Sequence, residues 1–188
     1  MDAFSYLSVL LAIIVGLGMT QVLTASGRLI RHRDRVRTYW PPLLWAGLLL
    51  VVYVQAWWAM FGLRTHTDWN FLTFFVVLLQ TVMLYMMAAV VLPESLAEHD
   101  VVDLRMHYER QRGWLFGFLL ATLVISVLKD VLLTGRLPGG MNLGFHALLG
   151  TACVVGLTTR RARVHEVLAI ACAAVMALYI ATLFARLA

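Results

Sequence analysis

The chain has 188 residues, of which 62% are hydrophobic and 13% charged, with a formal net charge of +5. A soluble domain of this size carries about a quarter charged residues, so the composition excludes an ordinary water-soluble fold. Its apolar residues fall into six blocks of about twenty, the length at which a helix crosses a bilayer, and predict an all-α polytopic membrane protein made of a single six-helix domain over 1–188.

The first block, 4–26, follows the acidic start "MDAFSY". That start lacks the basic region of a cleaved signal, so the helix is expected to be retained. Ser8, Ala12, Gly16 and Thr20 recur at every fourth position, a small-residue ridge that allows close helix approach. Arg28, Arg31, Arg33, Arg35 and Arg37 then lead to the second block, 42–63, which carries Gln55 and the pair Trp57–Trp58. The turn "LRTHTDWN" gathers Arg64, His66, Asp68 and Asn70 ahead of the third block, 69–92, with Gln80 near its middle.

Pro93 closes that helix and begins the longest connection, 93–112. Asp100, with Asp103 three residues on, predicts a helix start. Val101, Leu104 and Tyr108 share a face, and Arg105 with Glu109 makes an i,i+4 pair. A short amphipathic helix at the membrane surface is expected here, either ending before the fourth block, 113–134, or running on into it; the loop also offers a docking surface to a partner.

Within the fourth block, "LVISVLKDVLLTG" holds the chain's one lysine, Lys129, beside Asp130. The fifth block, 142–159, opens with Asn142 and has His146 one turn later. The sixth, 164–187, repeats the small-residue ridge at Ala169, Ala173, Ala177 and Ala181. The two ridges are expected to pack on each other within the bundle or against another subunit. Cys153 and Cys172 fall at similar depth on either side of the "TTRRAR" turn and read as small packing residues.

Eleven of the fourteen arginines lie in the connections after the first block, before the fourth and between the fifth and sixth. By the positive-inside rule these connections are cytoplasmic and both termini lie outside. Topology and anionic lipid thus account for the basic charge, and no nucleic-acid partner is implied. Arginine used almost to the exclusion of lysine points to a GC-rich bacterial genome, hence an inner membrane.

Residues 10–23 align without gaps on 119–132, with six identities. The match suggests a 3+3 inverted repeat of the kind found in transporters, whose sites lie where the halves meet. It sets Thr20 and Gln21 against Lys129 and Asp130, although at different depths.

Ionisable groups inside a membrane are costly, by a few kcal/mol near its centre, and default to a functional reading. Reflection through the short turn between the fourth and fifth blocks brings Lys129 level with His146 and Asp130 level with Phe145. Gln55, Lys129, Asp130, Asn142 and His146 are therefore the candidate ligand- or ion-binding residues, lining a polar cavity open to the outside. Against this stands the plainer reading that Lys129 snorkels to the headgroups along its apolar stem.

No catalytic motif, metal-ligand spacing or cofactor signature is present. His146 and His165 stand nineteen residues apart in the chain, about 28 Å of helix, which is too far for a haem pair. The expected function is binding or translocation of a small solute or ion. The alternative is a non-transporting membrane subunit, scaffold or sensor, with the bilayer, a second copy or another membrane protein as partner.

Overall fold

Each predicted apolar block forms a helix in the computed structural model, which describes residues 3–94 and 101–184. The helices are α1 (Ala3–Arg31), α2 (Trp40–Met60), α3 (Phe71–Val91), α4 (Leu104–Thr134), α5 (Gly140–Thr158) and α6 (Ala162–Tyr179). All six are long and apolar enough to cross a membrane. A 3-10 turn extends α2 over Phe61–Thr65, and a π-helical turn extends α6 over Ile180–Phe184.

Local chemistry sets the ends. Pro41 and Pro42 occupy the first turn of α2, where a missing N–H costs nothing. The Asn70 side chain accepts the Thr73 N–H at 2.9 Å and starts α3. Gly135, at φ 67°, closes α4 in the left-handed conformation that side chains disfavour.

α4 starts at Leu104, so the amphipathic stretch expected ahead of the fourth block runs on into it without a break and forms its first turns. Asp103 is the cap, accepting the N–H groups of Arg105 and Met106; Asp100 lies outside the described residues. The Arg105–Glu109 pair closes at 3.0 Å on an exposed face, while Leu104 and Tyr108 are buried.

Five helices close into a ring, α2 on α3, α3 on α4, α4 on α5, α5 on α6 and α6 back on α2. α1 stands outside it, packed on α3 and α2. Its buried face is Leu11, Val15, Gly18, Val22, Ala25 and Leu29, at alternating spacings of four and three. Gly18 is required where it sits, because a Cβ there would collide with the Tyr53 hydroxyl. That buried hydroxyl donates to the Leu84 carbonyl at 2.8 Å and ties α2 to α3 beneath α1.

The small-residue ridges do not pack on each other. Gly16 and Thr20 are exposed, Ser8 and Ala12 half-buried; on α6 Ala169 is buried, Ala173 half-buried, and Ala177 and Ala181 exposed. The bundle needs a small residue of α1 only where Tyr53 crosses, and branched side chains fill the rest of the contact with more dispersion attraction per residue.

At one end of the bundle the arginine-bearing segments meet. Val36 and Arg37 (β1) pair in parallel with Val102 and Asp103 (β2). Arg28 donates to the carbonyl of Glu94. Arg112 donates to the carbonyls of Gly156, Leu157 and Thr159 at 2.8–3.1 Å, covering the C-terminus of α5, where cationic groups are favoured. Cys153 and Cys172 are buried free thiols.

Candidate functional site

The ring encloses a cavity of about 180 Å³ lined by α2 to α6 and by no residue of α1. Gln55, Lys129, Asp130, Asn142 and His146 all line it. Their positions follow from the helix register. Gln55 is near the end of α2, Lys129 and Asp130 in the last turns of α4, Asn142 and His146 in the first turns of α5. The sharp stop at Gly135 and the short 135–139 connection bring the last two pairs to one level.

The cavity is zoned. Its polar side chains, with Tyr179 at the end of α6, gather towards the turns that join α2 to α3 and α4 to α5. Towards the arginine-rich end the walls are mostly apolar, with Leu49, Leu84, Met87 and Leu119, beside Trp45, whose buried indole N–H meets no acceptor among the described residues. Hydroxyls in that stretch are satisfied within their own helices: Thr81 donates to Leu78 and Thr122 to Phe118.

The polar groups at the other end are not satisfied in that way. Among the described residues the one ion pair within 4 Å is Arg105–Glu109, and neither the Lys129 ammonium nor the Asp130 carboxylate has a direct hydrogen-bond partner. The Asn142 Oδ1 is buried without a donor. His146 Nδ1–H donates to the Asn142 main-chain carbonyl at 2.8 Å; a carbonyl can only accept, so the neutral ring presents Nε2 as an acceptor. A buried acceptor without a partner costs about 1–3 kcal/mol, and unpaired charges cost more. At about 180 Å³ the cavity has room for about six waters, enough to solvate them or to be displaced by a ligand.

Other polar residues of the same end serve the fold. Asn70 caps α3, His66 stands edge-on to Trp69 and bonds the Asp68 carbonyl, and Arg64 lies 3.6 Å above the Phe61 ring. Gln80, half-buried on α3, joins the cavity wall.

A second polar cluster lies at the arginine-rich end. His165, 2% exposed, donates from Nε2 to the Thr159 carbonyl at 2.8 Å. Its Nδ1 therefore accepts the Tyr108 hydroxyl, at 3.0 Å. Tyr39, Glu109, Arg112 and Arg160 complete a pocket of about 270 Å³. Burial, then the neighbouring Glu166 carboxylate, pushes the Tyr39 phenol above its ordinary range, so it is a neutral donor. The sequence signal for this cluster was weak: a histidine in the first turn of an apolar helix, and a tyrosine one turn beyond Leu104.

Among the described residues no group of three His, Cys, Asp or Glu side chains could hold a metal. Comparison with protein families, curated proteins and solved structures finds no match, so the functional reading rests on this chain's own residues.

Proposed function

We propose that this multi-pass membrane protein binds a small solute or ion in the cavity of its five-helix ring and passes it towards, or across, the membrane. One observation carries the reading: a lysine and an aspartate without direct hydrogen-bond partners among the described residues, and an amide oxygen without a donor there, line one cavity within the membrane-spanning segments. A helix bundle gains nothing in stability from such groups, and intramembrane ionisable residues mark ligand or ion paths by default. The arginine-rich end is cytoplasmic under the positive-inside rule. On that reading the polar zone of the cavity and both termini face outside, and the use of arginine over lysine supports a bacterial inner membrane.

The test is water access. In a Cys153→Ala/Cys172→Ala background, Gln55→Cys and Ser126→Cys, both on the cavity wall, should react with a membrane-impermeant thiol reagent added outside. Leu128→Cys, 46% exposed on the bundle's outer surface, should stay unreacted in lipid. Silence at both cavity positions removes the site.

The alternative, a subunit or scaffold without transport, has one feature in its favour: the Gly16–Thr20 ridge of α1 is exposed, as a face for another helix would be. It predicts a closed, dry core, hence no labelling at Gln55→Cys or Ser126→Cys.

A further inference from the structure

The unsatisfied groups of the cavity specify the chemistry of what would fill it. Lys129 supplies a cation with donors only, and the Gln55 amide supplies further donors beside an acceptor. Asp130, the orphan Asn142 Oδ1 and the His146 Nε2 supply acceptors. Asn142 and His146 stand one turn apart on α5, and the α4–α5 hairpin brings Asp130 to their level.

The formal charges of Lys129 and Asp130 cancel. A lone cation would pair with Asp130 and leave Lys129 uncompensated; a lone anion would do the reverse. A ligand that satisfies both must carry both charges. A primary ammonium has three N–H donors, and Asp130, Asn142 and His146 on the α4–α5 hairpin offer three side-chain acceptors to meet them. Its counterpart carboxylate fits the Lys129 ammonium and the Gln55 amide.

Zoning and volume set the remainder of the molecule. Leu49, Leu84 and Met87 call for an apolar group directed away from the charges. An apolar cavity of about 150 Å³ accepts one benzene ring. At about 180 Å³ this cavity holds one molecule of comparable bulk, too little for a lipid chain.

We infer that the cavity binds a small zwitterion of the amino-acid type bearing an apolar side group, its carboxylate towards Lys129 and its ammonium towards Asp130, Asn142 and His146. The inference rests on the binding-cavity reading and narrows it to one class of ligand.

The experiment is protection of the Ser126→Cys thiol from the impermeant reagent, in membranes holding the full chain, by glycine, L-leucine and L-phenylalanine. Two probes carry half of leucine each: 4-methylpentanoate lacks the ammonium and 3-methylbutylamine lacks the carboxylate. L-Leucine or L-phenylalanine should slow labelling about tenfold or more relative to either half, because a site built around paired polar groups rejects a molecule that leaves one of them unpaired. Glycine should protect less than L-leucine. Lys129→Gln and Asp130→Asn should each remove the protection, read as the ratio of labelling rates without and with ligand in the same variant because the charges themselves alter thiol reactivity, while gel filtration and thermal unfolding in detergent stay close to those of the parent.

Equal protection by one half-molecule, or protection by sodium, potassium or chloride salts alone, overturns the zwitterion assignment. So does labelling that none of the three amino acids slows. Each of those results leaves the cavity standing. Absence of labelling at Ser126→Cys and Gln55→Cys removes the cavity reading itself and the inference with it.

Discussion

The two polar clusters of this bundle use nearly the same side chains in opposite ways. At the arginine-rich end Tyr108 bonds His165, and His165 and the cation Arg112 both bond carbonyls at the end of α5, meeting at Thr159. At the other end Lys129, Asp130, His146 and Asn142 share a cavity, and among the described residues the two charged groups and the Asn142 Oδ1 have no direct hydrogen-bond partner. Buried polar groups stabilise a fold when satisfied and cost it when not. The first cluster is therefore a structural clasp, and the second is a place where the fold gives up stability, as functional sites do.

The sharpest way to break that contrast is at Arg112. Arg112→Ala takes the guanidinium from the carbonyls of Gly156, Leu157 and Thr159, of which Thr159 keeps its bond from His165, and should destabilise by about 2–3 kcal/mol. Thermal unfolding of the purified protein in detergent reads it directly. A variant as stable as the parent would show that water replaces the guanidinium without loss, and the clasp would be no clasp.

Tyr108→Phe comes next. It leaves the His165 Nδ1 buried without a donor while keeping the ring that faces His165 edge-on at 5.4 Å. The expected loss is about 1–2 kcal/mol, near the cost of one orphaned buried acceptor. A gain in stability would mean that the histidine turns to a new partner, which its second bond to Thr159 at 2.8 Å opposes.

The same contrast explains what could be read from the sequence. Six helices were legible because a bilayer imposes a length on each of them. Lys129, Asp130 and His146 could be placed side by side because a short α4–α5 connection leaves one register for the hairpin. The Tyr108–His165 bond spans 57 positions between helices that are not consecutive, and no turn relates them. The run of 104–112 into α4 was legible from its apolar face, but the cap was not: Asp100 and Asp103 both suit a helix start, and Asp103 is the one that accepts the first-turn N–H groups. The packing face of α1 was hidden for the opposite reason: nearly every position is apolar, so nothing marks the inner face. Small residues at every fourth position drew attention to Gly16 and Thr20, whereas the residue that matters for close approach is Gly18, whose role depends on Tyr53 in another helix.

Asp130→Asn is the variant with the smallest expected effect on stability and the most to say about the contrast. The substitution keeps size and shape and removes a charge that, among the described residues, has no direct partner. Loss of its field at Lys129 is offset by relief from holding a carboxylate within a membrane-spanning helix, so unfolding should shift by no more than about 0.5 kcal/mol. Structural charges do not behave this way: taking one partner from a buried pair costs about 3–5 kcal/mol. If Asp130→Asn destabilises the protein as much as Arg112→Ala does, Asp130 belongs to a second clasp and the cavity loses its claim to be a binding site. If stability holds while protection by L-leucine disappears, the carboxylate is there for a ligand and not for the fold.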